Sequence, residues 1–225
     1  MQIELPISKS IANRLLILQA IHGDGLLTVS DCYSLPDDVQ LLHRTLTILK
    51  TFRTSKTLST PHMNVGNCGT AMRFLTAYCA QLEGTTAILD GVERMHHRPI
   101  GQLVDALREI GAQIDYLGEE GYPPLRIKGC ILDKQRLVII NNPQSTQFVS
   151  ALLLIGANVH TDSTSPYITL TRILIENYLQ RSDLQGIDAR STAQRSAVSA
   201  ANELERDWSS AAFWYEYVAL HGGEI

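Results

Sequence analysis

The chain has no long apolar run, no excess of positive charge and no paired cysteines, and each absence excludes a class of protein. No apolar run reaches the roughly 18 residues that a membrane-spanning helix needs, although 44% of the 225 residues are hydrophobic. The stretch MQIELPISKS has neither the basic start nor the apolar run of a signal peptide. We therefore expect a globular protein with a buried core and no membrane association.

Positive charge is outnumbered by negative charge along the chain. Nineteen Lys and Arg residues face 23 Asp and Glu residues, so the formal net charge is -4. Proteins that bind nucleic acid through the phosphate backbone are usually basic, so nucleic acid is disfavoured as a partner. Any anionic ligand must therefore be held by a local cluster of cations.

Cysteines are few and scattered. No CxxC pair occurs, and the four cysteines are Cys32, Cys68, Cys79 and Cys130. This pattern favours a reduced cytoplasmic protein over a disulfide scaffold, and it predicts no metal site. The pair His96 and His97 has no carboxylate or cysteine at ligand spacing, so we expect two exposed loop histidines.

A repeat organises the chain. Four segments share a short polar start, an apolar or amphipathic helical pattern and a Gly or Asn stop, which are the signals that begin and end helices. They are SKSIANRLLILQAIHGDG from Ser8, NCGTAMRFLTAYCAQLEG from Asn67, QSTQFVSALLLIGAN from Gln144 and DWSSAAFWYEYVALHGG from Asp207. The sequence therefore predicts one structural unit used several times.

Further elements lie between these segments. Helical patterns are predicted at 37–50 and 100–111, and strands at 26–29, 86–89, 125–127 and 137–140. The unit is thus a mixture of strand and helix, repeated about three times. The fourth copy begins near Asp207 and the sequence given ends at Ile225. We interpret the chain as a fragment, and the alternative is a terminal helix that docks back on the domain.

The polar helix starts favour anion binding. Free N–H groups and the positive end of the helix dipole make a helix N-terminus suitable for phosphate or carboxylate. Cations accompany these starts, since Lys9 and Arg14 belong to the first segment and Arg73 occupies the matching position in the second. A third basic stretch, GVERMHHRP, contains Arg94 and Arg98. The plain alternative is that the polar residues are caps and the arginines are solvated.

Four motifs carry a family resemblance. SKSIANR, GNCGTAMRFLTA, LDGVERMHHRPIGQLVDAL and NPQSTQFVSALL occur in this order along the chain. They resemble the first substrate loop, the signature around the second helix, the arginine loop and the Ser-Ser-Gln loop of 5-enolpyruvylshikimate-3-phosphate synthases. ERDWSSAAFWYEYVAL looks like the segment that opens the second domain of that family.

The resemblance implies a fold and a reaction. The fold is an α/β domain of about three βαβαββ repeats, an inside-out α/β barrel with helices inside and sheets outside, and it is one of two domains that close on the substrates. The family transfers the enolpyruvyl group of phosphoenolpyruvate to the 5-hydroxyl of shikimate 3-phosphate and releases phosphate. No metal or organic cofactor is implied.

Roles toward shikimate 3-phosphate carry over by position. Lys9 would contact both substrates and stabilise charge near the reacting centre, which makes it the one catalytic candidate. Ser145 and Thr146 would bind the phosphate. The residues implied to bind this substrate are Lys9, Ser10, Arg14, Ser145, Thr146, Gln147, Thr164 and Tyr167.

Roles toward phosphoenolpyruvate fall on the second and third motifs. Asn67 and Gly69 would shape the pocket, and Arg94 would grip the substrate. The herbicide glyphosate competes for this pocket in the family, so a bulkier residue in place of Gly69 is expected to hinder it.

The sequence departs from the family pattern at several positions. Cys68 stands where alanine or serine is usual, which implies a thiol beside the anion pocket, and Phe74 stands where many members have proline. Thr146 replaces a serine but keeps its hydroxyl, and Thr164 falls where the substrate-binding serine would be. Residues 161–205 resemble the family poorly, and the run RSDLQGIDARSTAQRSAVSAANELE within them does not resemble the expected strands.

The resemblance also sets domain boundaries. Residues 1–206 would form the N-terminal domain with the shikimate-3-phosphate half-site, and residues 207–225 would open the truncated second domain. The family's catalytic aspartate and a glutamate come from that second domain. We therefore expect this chain to fold alone, bind ligand weakly and turn nothing over.

Three alternatives remain open. A related transferase acting on a UDP-sugar has Lys-Asn where this chain has Lys-Ser in the first loop. A non-catalytic module that binds small anions would use the same helix starts. An RNA-processing relative with a similar repeat is disfavoured by the acidic balance of the chain.

Overall fold

A computed structural model of the chain describes residues 8–23, 35–55 and 60–184. The helices are α1 (Lys9–His22), α2 (Asp37–Ser55), α3 (Gly69–Ala80), α4 (Gly101–Glu109), α5 (Thr146–Leu154) and α6 (Pro166–Leu184), with a short 3-10 helix at Glu93–His97. The strands are β1 (His62–Asn64), β2 (Thr86–Asp90), β3 (Gln113–Tyr116), β4 (Leu125–Lys128), β5 (Val138–Ile139) and β6 (Val159–His160).

The middle of the chain forms one complete βαβαββ unit. Its elements follow the order β1, α3, β2, α4, β3, β4, and its strands form a sheet in the order β1-β2-β4-β3. Strand β1 is parallel to β2, while β4 is antiparallel to both β2 and β3. Each strand alternates buried and more exposed residues, which is the pattern of a sheet with one face on the core. The unit predicted from the repeat is confirmed here.

Helices occupy the centre of the domain. Helices α1, α3 and α5 contact one another, and these are the first three helices predicted from the repeated segments. Eleven of the twelve residues of α3 are buried, because its sequence GTAMRFLTAYCA is apolar nearly all round. With helices inside and half-exposed sheets outside, the predicted α/β arrangement is confirmed. No described helix is both long and apolar enough to cross a membrane.

Local signals explain where the central helices begin and end. Helix α1 stops at Gly23, which has a left-handed φ of 76° and so ends the helix without the strain that a Cβ would cause. Helix α3 is capped by Cys68, whose Sγ accepts a hydrogen bond from the Ala71 N–H at 3.4 Å. The predicted polar start, Asn67, therefore lies one residue before the cap. In α5 the Ser145 side chain accepts from the Gln147 N–H, as expected of a capping serine.

The third unit holds an element that the sequence pattern did not predict. Strands β5 and β6 pair in parallel, and helix α6 follows within the segment that resembles the family poorly. The helix packs on α1 and α5. Its inward face consists of the buried Ile168 and Thr171 and the half-buried Ile175 and Tyr178, spaced by three and four residues. That spacing is the helical signal that its β-branched composition obscured.

Other element predictions agree within a few residues. The helices expected at 37–50 and 100–111 are observed as α2 and α4, and three of the four strands are observed as β2, β4 and β5. The strand expected at 26–29, the helix expected from Asp207 and the domain boundary at 206 lie outside the described residues.

Gly129 provides a stability test, because a Cβ at this position would overlap the backbone carbonyl of Leu82. We expect Gly129→Ala to lower the free energy of unfolding by about 1–3 kcal/mol, the usual range for overpacking. Gly118→Ala is the matched control, since its Cβ would meet only Pro124 Cδ at 3.6 Å. Chemical denaturation would measure both variants, and equal stability of the two would contradict the close approach.

Candidate functional site

A cleft lies where helix N-termini converge. It has a volume of about 550 Å³ and is lined by first-turn residues of helices α1, α2, α3, α5 and α6. The lining residues are Lys9, Ser10, Asn13, Arg14, Asp38, Thr70, Arg73, Arg98, Gln144, Ser145, Thr146, Gln147 and Tyr167. Five helix starts directed at one space bring five positive dipole ends together, so the cleft favours anions.

Cations outnumber anions in the cleft, although the whole chain is acidic. Four of its lining side chains are cationic, and Asp38 is the one carboxylate among them. None of these cations takes part in an ion pair with a described residue. Positive charge in the cleft is therefore left for a ligand.

Arg14 is the most deeply buried of these cations, with 3% of its surface exposed. Its Nε donates to Thr171 Oγ1 at 2.7 Å, one terminal nitrogen to the Ser10 carbonyl at 2.7 Å and the other to Ser150 Oγ at 3.2 Å. Burial lowers the pKa of Arg14 to about 10, so the guanidinium stays charged at neutral pH.

Arg73 and Arg98 meet over Gly69. Arg73 is buried and donates to the Gly69 carbonyl at 3.0 Å, while Arg98 donates to the Asn67 carbonyl at 3.0 Å. A Cβ on Gly69 would overlap both guanidinium groups. Burial, and then the neighbouring Arg98, lower the pKa of Arg73 to about 10. Arg73 Nε has no hydrogen-bond partner among the described residues.

The start of α5 is tied to the start of α3. Gln147 Nε2 donates to Thr70 Oγ1 at 2.8 Å, across 77 positions of sequence. Ser145 and Thr146 flank this contact and line the cleft. The bond fixes two helix N-termini relative to each other, so hydroxyl and amide groups from two repeat units face one space.

Most predicted site residues lie in this cleft, and two do not. Lys9, Ser10, Arg14, Ser145, Thr146, Gln147 and Tyr167 line it. Gly69 lies directly against the two lining arginines, and Asn67 contributes its carbonyl to Arg98. Arg94 is exposed on the 3-10 helix and Thr164 is exposed before α6, and neither is among the lining residues.

Several lining residues were not predicted to bind ligand. Arg73 and Arg98 stood out in the sequence as cations, and Arg73 carried a usable signal because it matches the position of Arg14 in the repeat. Asp38 lies at the start of α2, where an acidic residue ordinarily stabilises the positive end of the helix dipole. Asn13, buried in α1, carried no signal beyond its membership of the first motif.

The loop that carries Arg98 is anchored by Asp90 at the end of β2. Asp90 lies 2.7 Å from His96 Nε2 and 3.5 Å from His62 Nε2, and it accepts from the Gly91 N–H at 2.7 Å. Burial raises the pKa of Asp90, but the bonds from His96 and Gly91 outweigh burial and hold the pKa below its ordinary value. The expectation of an exposed loop histidine is therefore wrong for His96, which is half-buried and paired.

Two residues that depart from the family pattern fit the site without adding reactivity. Phe74 is buried, and its ring lies 5.5 Å from the Arg14 guanidinium carbon. Burial raises the pKa of the Cys68 thiol, so this capping residue is protonated at neutral pH and is a poor nucleophile. Among the described residues, no group of three His, Cys, Asp or Glu side chains is arranged to hold a metal ion.

Comparison with known proteins assigns the chain to a family. The sequence model described as EPSP synthase (3-phosphoshikimate 1-carboxyvinyltransferase) matches residues 1–225. The chain belongs to the EPSP synthase family. A 3-phosphoshikimate 1-carboxyvinyltransferase from Bacteroides fragilis strain YCH46 is 38% identical over 97% of this chain and 52% of its own length. One from Cellvibrio japonicus is 37% identical over 99% of this chain and 57% of its own length.

The solved structures agree on the fold. The EPSP synthase from Acinetobacter baumannii matches 74% of this chain and 42% of its own with a TM-score of 0.55 at 22% identity. The chain spans about half the length of the curated relatives it matches. The resemblance of the four motifs to this family is thereby confirmed.

Gly69→Ala tests the arginine pair of this EPSP synthase domain. The added methyl would displace Arg73 and Arg98, so we expect the Kd of the cleft for inorganic phosphate to rise about tenfold or more, because the loss of one charged hydrogen bond costs roughly that factor in affinity. NMR titration would measure it. Gly101→Ala is the control, since its Cβ would meet nothing closer than 3.5 Å. Unchanged affinity in Gly69→Ala would show that the pair does not bind the ligand.

Asp90→Asn tests the anchor of the arginine loop. Because the folded-state pKa of Asp90 is depressed, the charged carboxylate stabilises the fold above the unfolded-state pKa near 4, and this contribution disappears as pH falls through the folded-state pKa. We expect a melting temperature roughly 2–4 °C lower at pH 7, and a difference that shrinks below about pH 4. Asp115→Asn, on the exposed sheet face, should change little. A difference independent of pH would contradict the depressed pKa.

Proposed function

We propose that this chain supplies the shikimate-3-phosphate half-site of an enzyme that transfers the enolpyruvyl group of phosphoenolpyruvate to the 5-hydroxyl of shikimate 3-phosphate. The observation that carries the proposal is the cleft itself, in which four cations that form no ion pair with a described residue meet the first turns of five helices. Both substrates of this reaction are multiply charged anions, so binding them requires this concentration of positive charge.

Shikimate 3-phosphate is proposed to lie between α1, α5 and α6. Ser145 and Thr146 hold its phosphate at the N-terminus of α5, where hydroxyls, backbone N–H groups and the helix dipole act together. Arg14, on α1, donates hydrogen bonds to the same ligand. Tyr167, half-exposed and with its ring 5.9 Å from the Arg14 guanidinium carbon, contacts the ligand from the start of α6. Ser10, Gln147 and Thr164 complete the proposed set.

Phosphoenolpyruvate is proposed to lie against the start of α3. Gly69 leaves room for it, and Arg73 and Arg98 are the cations nearest that position. Arg94 remains a proposed contact that requires its side chain to turn toward the cleft, since it is exposed in the described conformation. Lys9, exposed at the start of α1 and lining the cleft, is proposed to contact both substrates.

The chemistry assigned to this arrangement is an addition followed by an elimination. The 5-hydroxyl oxygen bonds to C2 of phosphoenolpyruvate, its proton is lost and C3 gains a proton. C3 then loses a proton while the C2–O bond to phosphate breaks, which releases inorganic phosphate and restores the double bond. Lys9 stabilises negative charge on the phosphate and carboxylate as these bonds change. No metal or organic cofactor is required for this sequence of steps.

Turnover is proposed to need a second domain. Curated relatives are about twice as long as this chain, and the family resemblance assigns the catalytic aspartate and glutamate to the other half. We propose that the chain alone binds substrate weakly and is inactive, because one side of the site stays open to water. A cytoplasmic location is also proposed, in keeping with the free thiols of Cys68, Cys79 and Cys130.

An NMR titration with shikimate 3-phosphate tests the half-site. We expect amide shifts at Ser10, Arg14 and residues 145–147, and about tenfold or greater weakening in Lys9→Ala, because a charged hydrogen bond to the phosphate ester is lost. Lys128→Ala is the control, since this exposed lysine lies on the outer sheet face. Absence of shifts at millimolar ligand would reject the half-site.

Two further measurements separate this function from its rivals. Shikimate 3-phosphate should raise the melting temperature of the chain, and a UDP-sugar should leave it unchanged. A larger shift with the UDP-sugar than with shikimate 3-phosphate would favour the related transferase that acts on a UDP-sugar. Mixing the chain with the C-terminal half of the Bacteroides fragilis relative should produce phosphate release. Turnover by the chain alone would refute the requirement for a second domain.

A further inference from the structure

The mechanism proposed above leaves two buried hydroxyls unused, Ser150 on α5 and Thr171 on α6. Both have 0% of their surface exposed. Both touch Arg14, although they lie 136 and 157 positions away from it in sequence. Hydroxyls buried on helices usually bond only to the carbonyl one turn earlier, so contacts with a buried cation from another repeat unit need a separate explanation.

Burial of the Arg14 charge costs free energy, and the two hydroxyls reduce that cost by accepting hydrogen bonds from the guanidinium. A buried cation is strongly destabilising without partners, and Arg14 forms no ion pair with a described residue. Its described hydrogen-bond acceptors are all neutral: the Ser10 carbonyl, Thr171 Oγ1 and Ser150 Oγ. Neutral acceptors hold the guanidinium in place while leaving its charge uncompensated.

The hydroxyl protons can be assigned. Thr171 Oγ1 lies 2.7 Å from the Tyr167 carbonyl and donates its single proton there. It must then accept from Arg14 Nε and from Ser150, whose Oγ is 3.0 Å away. Ser150 therefore donates to Thr171 and accepts from a terminal nitrogen of Arg14 at 3.2 Å. One arrangement satisfies every donor and acceptor in this chain of contacts.

Two guanidinium N–H groups remain after this assignment. Arg14 has five N–H donors, and three of them are used within the described residues. The remaining two lie one on each terminal nitrogen, so each terminal nitrogen keeps one donor for an oxygen of a phosphate or carboxylate. Because Arg14 lines the cleft, these donors are the ones available to an anionic ligand.

We infer that Ser150 and Thr171 are positioning residues, which hold the Nε side of Arg14 so that its two remaining N–H groups serve an oxyanion in the cleft. The inference rests on the proposed function only for the ligand, a phosphate ester of shikimate. The hydrogen-bond arrangement itself can be tested without any ligand.

Thr171→Val is the central variant, because valine keeps the shape of threonine and lacks the hydroxyl. Thr171→Ser keeps the hydroxyl and should rescue. The matched control is Thr76→Val, since Thr76 has 0% exposure on α3 and its Oγ1 bonds, among the described residues, only to the Met72 carbonyl at 2.7 Å. Both valine variants lose a buried hydroxyl and the same backbone bond, but only Thr171→Val loses an acceptor for Arg14.

The first measurement is the water-exchange rate of the Arg14 Nε–H by NMR in the ligand-free chain, with the signal assigned by its loss in Arg14→Lys. We expect exchange about tenfold faster or more in Thr171→Val, and wild-type rates in Thr171→Ser and Thr76→Val. An unchanged rate in Thr171→Val would overturn the inference. If Thr171→Val does not fold, Ser150→Ala replaces it, and unchanged exchange at the Arg14 terminal nitrogens would then overturn it.

The second measurement is a double-mutant cycle on the Kd for shikimate 3-phosphate. Thr171→Val should weaken binding about tenfold in the wild-type background, and should have no further effect in Arg14→Lys. Equal weakening in both backgrounds would mean that Thr171 does not act through Arg14. If the wild-type chain binds no shikimate 3-phosphate, the proposed function fails, and the exchange measurement alone decides the positioning role.

Discussion

Burial of positive charge without carboxylate partners is the constraint around which the described domain is arranged. Arg14 and Arg73 are both nearly inaccessible, and desolvation alone would oppose their charge. The fold offsets this with backbone carbonyls at the start of each arginine's own helix and with aromatic rings, Phe74 near Arg14 and Phe148 near Arg73. These partners stabilise the cations but leave their net charge in place, so the cleft retains a strong preference for anions.

The same constraint explains how an acidic chain can contain a cleft suited to anions. Carboxylates are spread over the rest of the molecule, while the cleft collects four cations and the positive ends of five helices. Asp38 is the exception, and it lies close enough to Cys68 to raise the pKa of that thiol further. A carboxylate among cations moderates their mutual repulsion in the empty site, which otherwise opposes the convergence of the helix starts.

The sequence predicted the repeat and most of the cleft because both depend on local patterns. Polar starts followed by apolar runs identify α1, α3 and α5. The cations Lys9, Arg14 and Arg73 lie in the first two turns of α1 and α3, so locating these helices also locates the cations. The helix at 166–184 was missed because its β-branched residues masked a helical spacing. Arg98 lines the cleft and Arg94 does not because the 3-10 helix turns their side chains in different directions. The sequence alone does not show that direction. The role of Ser150 and Thr171 could not be predicted for a different reason. Both residues contact Arg14 only because two repeat units pack against each other.

The contacts of Arg14 have a consequence for the domain as a whole. Arg14 belongs to the first repeat unit, while Ser150 and Thr171 belong to the third, so the arginine joins the two ends of the described chain directly. An anion that binds Arg14 together with Ser145 and Thr146 adds a second bridge between the same two units. Occupancy of the cleft and resistance to unfolding are then thermodynamically linked, because separating the first unit from the third requires the ligand to leave. A bound anion would, in this sense, hold the first and third repeat units together.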